Sequence, residues 1–377
     1  LDDVSKERFN SKCDNGKNKK HVYVCVVRKS VGMGVYVIGE IGQNHNGSVD
    51  LAKLIVDIAA RPVKEHLFQL DVKAMDAVKM TKRDLKEELS HSQMMRPYDS
   101  PHSFGATYGE HRAFLELDDE AHFEVYQHAK SKGMDFVETL CAVGCLSVLK
   151  LFTPDKLKVA SRDLTNLPLL SALAETKIPI ILSTGMAGEK ELNDALEVVS
   201  KYHEEISILH CVSQYPTHPL NVNLLTIAYL QKNFPQYTIG YSDHTIGIAT
   251  PVAAVAMGAK VIEKHITIDR NMKGTDQAGS LGLDGINRMM RDIRILEMQM
   301  GEEKIFISEG VEQAKHKLER SIATRRDMKK GEVISESDIH MLSPGDGVKW
   351  IDRQSVLGRT LSQDIPADEI IYPNMLS

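Results

Sequence analysis

No stretch of 18 consecutive apolar residues occurs in this 377-residue chain, so no segment reads as a membrane-spanning helix. The first residues, LDDVSKERFN, do not form a secretory signal, and a cytoplasmic location is expected. Cysteine is scarce: Cys13, Cys25, Cys141, Cys145 and Cys211 are an odd set without zinc-finger spacing. Cys141 and Cys145 sit in an apolar setting that favours buried thiols, and a reducing compartment fits. Basic charge is not in excess either. With 46 Lys and Arg against 52 Asp and Glu the formal charge is -6, which argues against a nucleic-acid partner. The glycine-rich phosphate motifs are also missing: STGMAGEKE lacks the GxxxxGK(S/T) spacing of a P-loop, and GMGVYVIG lacks the dinucleotide fingerprint. A local phosphate site remains open, because it needs only a few converging donors.

What is present is a rhythm. Short β-branched runs occur at 35–42, 66–72, 135–140, 156–161, 178–184, 206–212, 237–243 and 261–267. Several are almost continuously apolar, as strands covered on both faces should be. Helical patterns alternate with them, such as SVDLAKLIVDIAA and DDEAHFEVYQHAKSKG, the second with Asp118 or Asp119 to cap it and Gly133 to end it. Eight strands alternating with helices predict an α/β fold, a (β/α)8 TIM barrel over 35–301, with a doubly wound open sheet as the alternative. Residues 1–34 form an N-terminal extension with no assigned function, in which HVYVCVV could add an edge strand. After Gly301 the rhythm stops. Residues 302–319 suit a charged connector, and 320–377 show short strands separated by KKGE and IPADE turns. That module is small for an independent core, so it should lean on the barrel or on a second subunit.

Barrel sites form at the C-terminal ends of the strands. His244 and His265 follow the seventh and eighth runs, where neighbouring strand ends could bring both imidazoles about 2 Å from a divalent ion. Glu40, after the first run, would complete such a site directly or through water. The alternative is that each histidine merely satisfies a loop. Lys158 and Ser161 at strand four, with Ser183, Ser213 and Ser242 at three other strand ends, could hold phosphate and carboxylate oxygens. The remaining polar strand-end residues include Gln69, Thr139, Asp163, Tyr215 and Asp276.

The segments IGEIGQNHNG, RPYDSPHSFGATYGEHR, KVASRDLTNLPLL, PIILSTGMA, HCVSQYPT, IGYSDHTIG, EKHITIDR and GTDQAGSL together resemble the sialic acid synthase family. The likeness runs from about residue 35 to the end, and 320–377 are similar to that family's antifreeze-like (SAF) domain. The resemblance implies condensation of phosphoenolpyruvate with an unphosphorylated hexosamine, N-acetylmannosamine first, to give a nine-carbon 2-keto acid and phosphate. It makes His244 and His265 ligands of a divalent metal, Mn2+ by preference with Mg2+ or Co2+ as substitutes, and Glu40 the nearby carboxylate. It gives Thr139, Lys158, Ser161, Ser183, Ser213 and Ser242 to phosphoenolpyruvate, and Gln69, Asp163, Tyr215 and Asp276 to the sugar. It also implies a domain-swapped homodimer. Three positions depart from the pattern. Leu67 stands two residues before Gln69 where the family has lysine in a Lys-Phe-Gln run, which leaves Lys73 as the nearest substitute cation. Ser343 stands where bacterial members carry an arginine that reaches the sugar's N-acyl group, and Gln277 where histidine is common. Other expectations are a related synthase acting on a 2,4-diacetamido-trideoxy hexose, on mannose or on a phosphorylated sugar, a metal aldolase, or a non-catalytic carbohydrate- or ice-binding protein.

Overall fold

A computed structural model describes residues 34–65 and 70–377. Its strands are β1 (Tyr36–Glu40), β2 (Val63–Glu65), β3 (Leu70–Val72), β4 (Ala77–Lys82), β5 (Asp135–Leu140), β6 (Lys156–Val159), β7 (Ile180–Ser183), β8 (Ile206–Cys211), β9 (Thr238–Asp243), β10 (Val261–His265), β11 (Ser321–Thr324) and β12 (Ile339–Leu342). Eight of them, β1 and β4–β10, close into a parallel barrel in which β1 pairs with both β4 and β10. The expected (β/α)8 barrel followed by a small β-rich domain is therefore the fold.

One strand is not where the sequence rhythm puts it. The run at 66–72 does not enter the barrel. Its end, β3, pairs antiparallel with β2, Val63 opposite Val72, in a hairpin beside the helix Leu283–Gln299. A parallel strand must run from the bottom of the barrel to the top, and the hairpin has already turned the chain back. The next segment, AVKMTK of β4, makes the ascent, with its first four residues buried. The expected edge strand in HVYVCVV and the residue Gln69 lie outside the described residues.

The helices follow from capping and periodicity. Ser48 caps Val49–Ala59 by accepting from the Leu51 N–H, and Asp118 caps Asp119–Ser131 by accepting from Ala121. Gly133, at φ +74°, turns that helix off into β5. Glu189–Val199 buries Leu192, Ala195, Leu196 and Val199, an i, i+3, i+4, i+7 stripe against the sheet.

The chain divides into two compact units, Leu1–Met300 and Gly301–Ser377. In the second, β11 pairs antiparallel with β12 around a core of Ile322, Met328, Ile334, Ile339, Val356, Leu361, Ile365 and Ile371. Each such side chain contributes roughly 1.5–3 kcal/mol before the entropy of ordering is subtracted, a thin margin for a module of this length.

Candidate active site

Strand alternation builds the site. Side chains two residues apart point the same way, so each strand contributes successive layers to the barrel interior. Ile38, Ala77, Val137, Ile181, Leu209 and Val261 form one apolar layer. Two residues further along the same strands come Glu40, Lys79, Thr139, Ser183, Cys211 and Glu263, all buried and all lining one cavity of about 350 Å³. The chemistry therefore begins where the hydrophobic plug ends.

Four buried charges occupy that polar layer. Lys79 Nζ lies 2.7 Å from Glu40 Oε2 and 3.7 Å from Glu263 Oε1, and it donates to Thr139 Oγ1 at 3.1 Å. Lys158 Nζ lies 3.9 Å from Glu263 Oε2, and Ser242 donates to Glu263 Oε1 at 3.2 Å. Burial alone would raise the pKa of Glu263, but Lys158 and Lys79 outweigh it and hold the carboxyl down to about 2. Burial wins at Glu40, where Lys79 only partly compensates and Glu263 adds repulsion, so its pKa is raised to about 7. Burial also lowers the pKa of Lys158, whereas Glu263 and Glu40 overcome burial at Lys79 and raise it. Two carboxyls driven apart in this way can take different roles, one fixed as an anion and one poised to exchange a proton near neutrality.

His244 and His265 meet at the mouth of this layer, with ring centroids 5.4 Å apart. His244 Nδ1 lies 2.9 Å from the Val212 carbonyl, so that nitrogen donates and Nε2 keeps its lone pair. Among the described residues His265 Nδ1 is buried without a hydrogen-bond partner, its nearest carboxylate being Asp276 Oδ2 at 4.0 Å. Burial lowers the pKa of His265 and favours the neutral, ligating form. Among the described residues no three His, Cys, Asp or Glu side chains converge as a closed metal cage. Two imidazoles with free lone pairs do fit an open divalent site completed by oxygen from substrate or water. Gly42, at φ +53°, lets the turn after β1 fold against them: a Cβ there would come 3.0 Å from Glu40 Oε1 and 3.4 Å from His265 Cε1.

The hydroxyls gather around Gly185. Its N–H donates to Ser161 Oγ at 3.0 Å, and its carbonyl accepts from the Ser213 N–H at 3.3 Å. A Cβ on Gly185 would lie 2.5 Å from Ser213 Oγ and 2.8 Å from Ser161 Oγ. The Ser183 hydroxyl is buried with no hydrogen-bond partner among the described residues, which leaves it free for a ligand oxygen.

Of the residues singled out from the sequence, Glu40, Thr139, Lys158, Ser161, Ser183, Ser213, Tyr215, Ser242, His244, His265 and Asp276 all line this cavity. The ring of Tyr215 packs 4.0 Å from that of His244. Asp163 does not line the cavity; it pairs with Arg162 at 3.2 Å. Lys73 is no substitute cation, because it pairs with Asp76 at the N-terminal end of β4, remote from the strand ends that form the site. The lysine of the second barrel strand is Lys79, with Thr81 two residues beyond it on the cavity wall. Gln277 is buried between Thr267 and the Asn44 carbonyl and does not reach the cavity. The sequence reading missed Lys79, Arg83, Tyr98, Tyr108, His111, Arg112 and Arg162, all of which line it. The apolar–Lys–apolar alternation of AVKMTK was the available signal for the first.

A model of the NeuB family matches residues 71–305, and one of the SAF domain matches 319–377. The chain is 33% identical to N-acetylneuraminate-9-phosphate synthase of Homo sapiens, over 90% of this chain and 92% of that protein. It is 32% identical to N,N'-diacetyllegionaminic acid synthase of Legionella pneumophila, over 89% and 92%. Among solved structures, the N-acetylneuraminic acid synthetase of Leptospira borgpetersenii superposes with a TM-score of 0.62 at 28% identity, covering 74% of this chain and 90% of that one.

Proposed function

The chain belongs to the NeuB family, the phosphoenolpyruvate-dependent synthases of keto-sugar acids, and from that premise we propose how this cavity works and what it accepts. Phosphoenolpyruvate lies on the Lys158 side, its phosphate and carboxylate held by the buried ammonium and by the hydroxyls of Thr139, Ser161, Ser183, Ser213 and Ser242. The open-chain sugar lies above it, between Tyr215, Asp276 and the two histidines. A divalent ion held by His244 and His265 would polarise the aldehyde oxygen and offset the charge that grows there.

The reaction then needs little covalent help from the protein. The methylene carbon of phosphoenolpyruvate attacks the aldehyde carbon, water adds to the resulting electron-poor carbon, and the tetrahedral intermediate expels phosphate by C–O cleavage. Glu40 takes the proton of the attacking water, and Lys79 keeps that carboxylate oriented. Confining both reactants face to face over an apolar floor supplies much of the rate. The reading rests above all on the split between Glu40 and Glu263 beside two lysines and two histidines in one cavity.

The proposed acceptor is an N-acylated hexosamine, with N-acetylmannosamine the first candidate, and the product is a nine-carbon 2-keto acid. Mn2+ is the proposed metal. The small core of the C-terminal module supports a homodimer in which 320–377 work against a second subunit. The test is product mass and phosphate release from purified enzyme, Mn2+, phosphoenolpyruvate and amino sugars in H2(18)O. C–O cleavage puts the heavy oxygen in the new ketone. Its appearance in phosphate would overturn the mechanism.

A further inference from the structure

Asp243 and Lys264 are buried charges that the condensation leaves unused. Lys264 Nζ lies 2.6 Å from Asp243 Oδ2, with both side chains wholly withdrawn from water. Each stands immediately before a histidine of the site. Ser242, His244, Glu263 and His265 line the cavity, whereas Asp243 and Lys264, on the alternate face of the same strands, do not. Lys264 opposite Asp243 is also the last rung of the ladder between β9 and β10. The two imidazoles therefore follow directly after the ion pair.

The pair is bonded on every side. Asp243 Oδ1 accepts from the Tyr241 hydroxyl at 2.9 Å and from the Thr245 N–H at 3.0 Å, and Oδ2 accepts from the Thr245 hydroxyl at 3.1 Å. Lys264 donates in turn to the Thr245 carbonyl. Thr245 is thus held at three atoms, and His244 is bracketed between a fixed carboxylate and a fixed threonine. Other contacts tie each histidine to a different neighbour. The His244 carbonyl accepts from the Thr217 N–H at 2.9 Å, and His265 stands in register with Glu40 on β1. The ion pair joins the two histidine-bearing strands to each other.

Stability does not account for it. A fully desolvated ion pair is often no better than a well-packed apolar pair of similar volume, because taking both charges out of water cancels much of their attraction. What the pair adds is direction, since its hydrogen bonds fix angles that apolar contacts would leave free to slide. An ion between two imidazoles needs both nitrogens about 2.0–2.1 Å away, held to within about 0.5 Å. Among the described residues no closed cage of His, Cys, Asp or Glu is there to correct the geometry, so the rigidity has to come from behind the rings.

We propose that Asp243 and Lys264 are positioning residues for the divalent ion: their pair, with Thr245, locks His244 and His265 at the spacing and pitch that an ion between them requires. The proposal rests on the reading of those histidines as its ligands. Loosening the pair weakens the metal and spares phosphoenolpyruvate, because Lys158 and Ser183 stand on β6 and β7, away from this joint.

The test is Mn2+ titration of metal-free enzyme, read from the paramagnetic signal of free Mn2+, beside melting curves of the same samples. Asp243→Asn combined with Lys264→Met removes the pair without stranding a charge. It is expected to weaken Mn2+ binding about 10- to 100-fold, to keep the native melting temperature within about 5 °C, and to broaden the spectrum of bound Mn2+. At saturating Mn2+ its kcat should stay low while the KM for phosphoenolpyruvate moves less than about threefold. Thr245→Val, which removes one bond and no charge, should lie between, and it carries the test if the double variant does not fold. His244→Ala in the same titration separates the two readings. Weak Mn2+ binding by His244→Ala with native affinity in the double variant and in Thr245→Val overturns the positioning role and leaves the ligands standing. So does a loss of affinity that only tracks a fall in melting temperature across the set. Native affinity in both His244→Ala and His265→Ala removes the ligands and the positioning role together.

Discussion

The ammonium of Lys79 lies 2.7 Å from Glu40 Oε2, with both side chains almost wholly withdrawn from water. The pair sits on adjacent strands, Glu40 in register with Lys79 on β4 and with His265 on β10. One carboxylate is thus flanked by a cation on one side and a proposed metal ligand on the other. Its protonation is set by both neighbours and by burial, and the consequences can be measured.

Because burial raises Glu40 to about 7, kcat/KM should fall on the acid side of neutrality as the carboxylate takes up its proton. Glu40→Gln is expected to lower kcat by about 100- to 10,000-fold and to abolish that acid limb. A pH–rate profile of the folded variant decides it; an unaltered limb would assign the titration to another group.

Lys79→Met removes a group that lowers the Glu40 pKa, so the acid limb should move to higher pH. It also strands Glu40 and Glu263 without one of their cations, at a stability cost of about 3–5 kcal/mol. Denaturant melts and the pH profile together check this. A limb shifted to lower pH would contradict the sign.

His244→Ala and His265→Ala should each weaken Mn2+ binding by at least tenfold while the barrel stays folded. Calorimetric titration and the paramagnetic signal of free Mn2+ read this without any turnover. Unchanged affinity in both variants would remove the metal from this pair.

Gly185→Ala places a methyl group 2.5 Å from Ser213 Oγ and 2.8 Å from Ser161 Oγ. It should raise the KM for phosphoenolpyruvate tenfold or more and leave the acceptor KM within about threefold. Steady-state kinetics with each substrate varied separately will show whether the hydroxyl cradle serves phosphoenolpyruvate.

Much of this was legible in the chain. Strand ends such as Glu40, Ser183, Ser242 and His265 were found because a β-strand announces its own end and barrels put chemistry there. The second barrel strand was not legible. The run ending in LDV has the same β-branched character as AVKMTK, and only the antiparallel pairing of β2 with β3 excludes it from the barrel. That single displacement hid Lys79 and gave Lys73 a role it cannot fill. Arg112, Tyr98 and Tyr108 were hidden for another reason: they belong to the long excursion between β4 and β5. Nothing local distinguishes a charge that folds inward there from one on a solvated face.

The apolar layer beneath Glu40, Lys79 and Glu263 floors the cavity on the side of the barrel interior. Traffic that enters over the rim is last in, first out. Lys158 and Ser183 are at the bottom, 3% and 1% exposed, while Tyr215 stands at the rim, 57% exposed. Whatever occupies the floor has to arrive before the rim is filled, and it cannot leave while the rim is occupied. The order in which the substrates queue is thus laid down by Ile38, Val137, Ile181 and Leu209, four side chains that never meet either of them.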